Sequence, residues 1–218
     1  MNIKSLCDKY APLSQRERME AVFQDFDRVL ITTSFGTTST VLLQVLHQVK
    51  PDHPVYFVDT GYHFKETHQY AAAIQEKWKL NIVRIGPKPN EHNFTRMDYT
   101  WLHDPDTCCF INKVMPLEKL KETHEVWISG MLGGTTAYRD PGTVFKMGKD
   151  ILRFYPFIDM TPEEARWHRL VQELPEHPLE AKGYDSIGCT HCTRRGEGRS
   201  GRWVGFNKTE CGLHTFNA

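Results

Sequence analysis

Arg28-Val29-Leu30-Ile31-Thr32-Thr33, followed directly by Ser34-Phe35-Gly36-Thr37-Thr38-Ser39-Thr40, is the stretch that decides the fold class. The first six residues have the apolar, β-branched character of a buried strand. After the small hydroxyl-rich loop, Val41, Leu42, Val45, Leu46 and Val49 recur at helical spacing. Strand, small-residue loop and helix in that order aim backbone N–H groups and the positive end of a helix at an anion. The Gly-x-x-x-x-Gly-Lys-Ser/Thr pattern of a Walker loop is missing, and a hydroxyl-rich turn of this kind also serves simply to cap a helix.

The same alternation continues on both sides. Residues 55–58, Val-Tyr-Phe-Val, form a second buried strand ending at Asp59-Thr60-Gly61, then comes a helix over 66–78 and a third strand over 80–85, closed by Gly86-Pro87-Lys88-Pro89. Upstream, Met19, Val22, Phe23 and Phe26 mark a packing helix over about 14–26. Downstream, 125–130 and 151–156 read as further strands. Thr161-Pro162-Glu163-Glu164 starts a helix with proline at its first position, ended by His177-Pro178-Leu179. Strands alternating with helices specify an α/β fold with a doubly wound, mostly parallel sheet. In such a sheet ligands bind outside the carboxyl ends of the strands, so the loops at Ser34 and Asp59 are expected to converge on one crevice. The 218 residues fit one domain, 1–218, with a distinct C-terminal segment over 187–218.

Charges balance, 27 basic against 27 acidic, so any anion is held by a local cluster and not by a general field for nucleic acid or membrane. The first ten residues lack an apolar core of signal-peptide length and no run approaches a membrane span, which points to the cytoplasm. Six cysteines in that compartment act as ligands or redox groups more often than as disulfides. Eleven histidines are scattered without metal-ligand spacing.

Cysteine, arginine and glycine concentrate in 187–218. Cys189 and Cys192 have the Cys-x-x-Cys spacing that lets two thiolates chelate one centre from a tight turn, whereas Cys211 stands alone, with His214 three residues on. Arg194, Arg195, Arg199, Arg202 and Lys208 outnumber Glu197, and guanidinium groups grip phosphate or sulfate oxygens in pairs. The other pair, Cys108-Cys109, is vicinal and followed by Lys113. Adjacent cysteines suit a polynuclear cluster, in which each sulfur takes a different iron, and with Cys189 and Cys192 they make the four thiolates of a [4Fe-4S] cluster. A structural zinc and unrelated buried thiols are the alternatives.

Together these motifs resemble the adenylyl-sulfate reductases of the PAPS/APS reductase family: Ser34-Phe35-Gly36, Asp59-Thr60-Gly61-Tyr62, Cys108-Cys109 with Lys113 and Pro116-Leu117, Gly188-Cys189-x-x-Cys192-Thr193, Gly196-Glu197 with Arg199 and Gly201-Arg202-Trp203, and Glu210-Cys211-Gly212-Leu213-His214. The resemblance covers nearly the whole chain. It implies an adenine-nucleotide alpha-hydrolase-like fold with a C-terminal catalytic tail, a [4Fe-4S] cluster on Cys108, Cys109, Cys189 and Cys192, and thioredoxin or a glutaredoxin as reductant. It also implies reduction of adenosine 5′-phosphosulfate (APS) to sulfite and AMP, as in assimilatory sulfate reduction and cysteine biosynthesis. The four-cysteine set goes with APS in preference to its 3′-phosphorylated relative. The same resemblance makes Cys211 the nucleophile, with Ser34, Phe35, Gly36, Thr37, Thr38, Ser39, Asp59, Thr60 and Gly61 on the nucleotide. Lys113, Arg139, Arg199, Arg202 and His214 surround the sulfate. The chain is compatible with a homo-oligomer.

Two positions depart from the family pattern. Where Gly-x-Arg-Arg-x-Gln-Ser is usual, the sequence reads Gly130-Met131-Leu132-Gly133-Gly134-Thr135-Thr136, with no arginine until Arg139, and Asn112 stands where a basic residue usually precedes Lys113. A nucleotide-activating ATP pyrophosphatase of the same fold would want Gly and Asp in place of Phe35 and Thr38. A non-catalytic metal-binding module would leave Cys211 and His214 without a task.

Overall fold

The computed structural model describes residues 2–134, 136, 139 and 143–215, the last two through their backbone alone. The chain opens with α1 (Ile3–Tyr10), capped by the Asn2 side chain, and α2 (Gln15–Asp25), whose capping box pairs Ser14 with Glu17. There follow β1 (Val29–Thr33), α3 (Ser39–Val49), β2 (Val55–Val58), α4 (Lys65–Trp78), β3 (Ile82–Ile85) and α5 (Pro89–Met97). A second run comprises α6 (Pro105–Cys109), a π-helical turn (Phe110–Val114), α7 (Met115–Thr123), β4 (Val126–Ser129), β5 (Phe145–Met147), β6 (Leu152–Phe154), α8 (Pro162–Val171) and the short α9 (Gly212–Thr215).

The strands form one sheet in the order β3-β2-β1-β4-β6-β5, parallel except for the β5–β6 pair at one edge. Side chains alternate between its faces as the two-residue period requires. Val29, Ile31, Val55, Phe57, Val126 and Ile128 join the large core under α2, α3 and α4, while Leu30 and Trp127 turn to the other face, against Leu117 of α7. Helices on both faces make the sheet doubly wound, as the sequence pattern indicates.

Three local readings are corrected. The helix at Thr161 stops at Val171 and does not run to His177: Glu173 adopts a left-handed conformation (φ 49), and the N–H of Leu174 returns to the carbonyl of Arg169 at 2.9 Å, turning the Leu174 side chain into the core. Pro89 does not merely close the third strand; it is the first residue of α5, where its missing N–H costs nothing. The α1 helix was not anticipated, although Asn2 followed by Ile3, Leu6 and Tyr10 carries a cap and a helical stripe.

Candidate active site

The sheet order reverses between β1 and β4, and the crevice at their carboxyl ends is a pocket of about 200 Å³. Ser34, Gly36, Thr37, Thr38 and Ser39 line one side and Ser129, Gly130 and Met131 the other; residues 186–188 and Arg199, Arg202, Trp203, Glu210 and Cys211 close it. The loop is shaped from within and from without. Thr33 Oγ1 accepts the Phe35 N–H at 3.1 Å and Ser39 Oγ donates to the Gly36 carbonyl at 2.7 Å, while Thr37 Oγ1 donates to the Asp185 carbonyl at 3.0 Å. Arg169 of α8, its side chain 4 % exposed, donates to the Thr37 carbonyl and forks onto Glu180, each bond 2.8 Å.

Of the nucleotide residues read from the sequence, five loop residues reach this pocket and four do not. Phe35, with φ 50, swings its ring out of the loop into the core, edge-on to Phe57 at 5.0 Å. Asp59, Thr60 and Gly61 do not line it because the switch point lies between β1 and β4, one strand further over than the β1–β2 crevice the sequence suggested. Asp59 continues the pairing with β3 instead, its N–H on the Ile85 carbonyl at 2.7 Å and its carboxylate 3.5 Å from Arg84 Nε.

Thr60 faces the cysteines instead. Thr60 Oγ1 lies 3.2 Å from Cys189 Sγ, the Thr190 N–H donates to the Tyr62 carbonyl at 2.8 Å, and His63 bridges Cys189 through the backbone. Thr60, Tyr62, Trp101, Cys108, Cys109, Cys189, His191 and Cys192 then surround one small cavity, with His191 stacked on Trp101 at 3.9 Å. The four cysteines are free thiols. Burial and their mutual crowding push the thiols of Cys108 and Cys192 up to about 12, and burial raises that of Cys109. Such a donor set fits a polynuclear cationic group that takes each sulfur as thiolate on a different metal. Among the described residues no three His, Cys, Asp or Glu side chains are arranged to grip a single ion.

Lys113 belongs to both sites. The π-helical turn between α6 and α7 brings its buried side chain to the wall shared by the cysteine cavity and the pocket. Burial opposes its charge, but the negative charge of Cys189, Cys109 and Cys211 as thiolates outweighs that and raises its pKa. Asn112, in place of a basic residue, is buried and donates to the Cys108 carbonyl at 2.9 Å and to Thr95 Oγ1 at 3.1 Å.

Lys113, Arg139, Arg199 and Arg202 all line the pocket, as does Cys211, whereas the side chain of His214 lies outside the described residues. Three residues without an assigned role in the sequence reading organise these cations. Glu210 accepts from Arg139 Nε at 2.7 Å and Nη2 at 3.0 Å, from Arg199 Nη2 at 3.3 Å and from Thr136 Oγ1 at 2.9 Å. Burial alone would raise its carboxyl, but the bonds and charges of Arg139 and Arg199 hold it at about 2. Burial and the neighbouring Arg139 bring Arg199 down to about 10. The Trp203 ring lies beneath the Arg202 guanidinium at 4.3 Å, with Arg199 and Lys208 at 5.7 and 5.6 Å, and the Trp203 backbone N–H donates to the Cys192 carbonyl at 3.0 Å. Gly188 lets Arg202 pass: a Cβ there would stand 2.7 Å from the guanidinium carbon.

Residues 28–195 match the family described as the phosphoadenosine phosphosulfate reductase domain, more than half of the chain. The chain belongs to the phosphoadenosine phosphosulfate reductase family. Its curated relatives include the adenosine 5′-phosphosulfate reductase of Halalkalibacterium halodurans, 35% identical over 197 residues that cover 86% of this chain and 85% of the relative. Another is that of Bacillus pumilus, 37% identical over 199 residues, 86% and 84%. Among solved structures, the phosphoadenylyl-sulfate reductase of Candida auris in its phosphate complex superposes with a TM-score of 0.76 at 23% identity, covering 88% of this chain and 96% of that one. Yeast FAD synthetase superposes at 0.58 and 15% identity, covering 89% and 69%. At those identities the two structures speak for the fold alone. Among the described residues no helix is long and apolar enough to cross a membrane.

Proposed function

We propose that this chain is an APS reductase that converts adenosine 5′-phosphosulfate to sulfite and AMP with electrons from a dithiol protein of the thioredoxin class. The observation that carries this reading is that Cys211 lines the same pocket as the hydroxyl-rich loop and four cationic side chains; the curated relatives named as APS reductases support it. The loop 34–39 holds the nucleotide phosphate, while Lys113, Arg139, Arg199 and Arg202 face the sulfate. The Cys211 thiolate attacks the sulfate sulfur, the bond from that sulfur to the bridging oxygen breaks, and AMP leaves with the electron pair. Cys211 then carries a thiosulfonate. A thiolate of the reductant attacks Cys211 Sγ, the S–S bond breaks, and sulfite departs with the bonding electrons. The second thiol of the reductant resolves the mixed disulfide and returns Cys211 as thiol, so one dithiol supplies the two electrons.

A [4Fe-4S] cluster on Cys108, Cys109, Cys189 and Cys192 fits the donor set of the small cavity, and bound there it would supply a fixed field beside Lys113 and no redox step. We read 1–218 as one domain whose 187–218 segment carries two cluster ligands and the nucleophile. Free thiols throughout suit a cytoplasmic enzyme. The test is sulfite release from APS and from its 3′-phosphorylated relative with thioredoxin supplied, together with mass spectrometry of the Cys211 peptide. Higher kcat/KM on APS and an added sulfonate on Cys211 are expected. No sulfite from either nucleotide, or an adduct on Cys189 or Cys192, overturns the reading.

A further inference from the structure

A pocket built for a sulfated nucleotide is expected to be all cationic at its anion end, yet this one contains a carboxylate. Glu210 is the one acidic side chain among the described lining residues, against Lys113, Arg139, Arg199 and Arg202. A negative charge at that position repels the ligand, and in a partly dry pocket it does so more strongly than in water. Its geometry shows what it contributes instead. The carboxylate is 1 % exposed and accepts four bonds: a fork from Arg139, one bond from Arg199 and one from Thr136. A fork of this kind fixes the plane of the guanidinium as well as its position.

The next residue is Cys211, so whatever holds Glu210 holds the Cys211 Cα one peptide unit, about 3.8 Å, away. Arg199 reinforces the arrangement, donating from Nη2 to the Thr209 carbonyl at 2.8 Å, and its buried Nε has no acceptor among the described residues. Arg139 arrives from the segment after β4, Arg199 from the segment after the Cys-x-x-Cys turn, and Glu210 from the tail. One carboxylate therefore ties three separate parts of the chain together beside the thiol.

We propose that Glu210 is a positioning residue that lowers the pocket's affinity for anions in order to place Cys211 and orient Arg139 and Arg199 for attack. The proposal rests on the APS reductase reading. A purely structural carboxylate would lower binding and turnover together when removed, whereas this arrangement sends them in opposite directions. The experiment compares the cluster-containing wild type with Glu210→Gln and with the double variant Arg139→Gln/Glu210→Gln. APS binding is read by calorimetry on the same three proteins carrying Cys211→Ser so that no adduct forms, kcat by sulfite release, and the iodoacetamide reactivity of Cys211 by peptide mass spectrometry. In Glu210→Gln, kcat falls by about tenfold or more, as misplacement of a reacting group commonly costs. APS binds as tightly as to wild type or several-fold tighter, and Cys211 is alkylated several-fold faster because the tail is no longer held. In the double variant APS affinity drops back while kcat stays low.

Unchanged kcat, APS affinity that falls in parallel with kcat, or unchanged alkylation of Cys211 each overturns the proposal. If the wild type releases no sulfite the reductase reading fails by itself, and APS binding and alkylation still decide the role of Glu210.

Discussion

Arg169→Met tests whether the hydroxyl-rich loop is held from outside by α8. Arg169 is 4 % exposed and Glu180 18 %, and the guanidinium makes three bonds of 2.8 Å, two to Glu180 and one to the Thr37 carbonyl. Methionine fills much of the volume but leaves the Glu180 carboxylate with the His177 N–H, at 2.9 Å, and no paired charge. Removing one partner of a buried pair costs about 3–5 kcal/mol. For a chain of this length each kcal/mol moves Tm by roughly 2–4 °C, so a fall of about 6–20 °C is expected in thermal unfolding. The Thr37 carbonyl loses a charge-assisted bond, worth about 1.5–3 kcal/mol, and if half of that reaches the bound nucleotide the Kd for AMP rises by several-fold to tenfold. Arg169→Met/Glu180→Met removes both charges at once and should be closer to wild type in Tm than the single variant, since replacing both members of a buried pair is often neutral. A single-variant Tm within 2 °C of wild type by the same scan, or a double variant whose loss equals the sum of the two singles, would refute the reasoning.

Gly188→Ala places a methyl group against the Arg202 guanidinium, whose carbon would lie 2.7 Å away; the flexible arginine yields, so Tm changes little while KM for APS rises several-fold, and an unchanged KM in steady-state kinetics counts against an anion contact by Arg202. Cys108→Ser should lower the iron content and the broad visible absorption of the purified protein, and full iron with an unchanged spectrum removes Cys108 from the ligand set. Glu210 titrates near 2 in the folded protein against about 4.3 when unfolded, so its ion pairs stabilise fully above the unfolded value and are lost as pH falls toward the folded one. The Tm gap between wild type and Glu210→Gln should accordingly be constant above about pH 5 and shrink below about pH 4; a gap that widens on acidification has the wrong sign.

Local order was legible in the sequence because it is written at short range. The apolar run at 29–33, the small loop at 34–39 and the stripe from Val41 to Val49 fixed a strand, a turn and a helix, and the same period-two and period-3.6 patterns located β2, α4, β3 and β4. The paired cysteines and the lone Cys211 likewise stand out by spacing, whereas the roles expected of them come from the family resemblance. What no spacing encodes is which strand lies beside which. The neighbour of β1 on the pocket side is β4, nearly a hundred residues away in the chain, because the crossovers wind the sheet outward in both directions from β1. That choice leaves Thr60 at the cysteine cavity and sends Ser129–Met131 to the pocket. The pairing of Glu210 with Arg139 belongs to the same class: each residue is visible in the sequence, but their separation of 71 in the chain closes only when the sheet and the tail are folded against each other. Chain composition determined the chemistry available to this protein, and tertiary packing decided which groups share a pocket, because burial and charge pairing are set by neighbours in space.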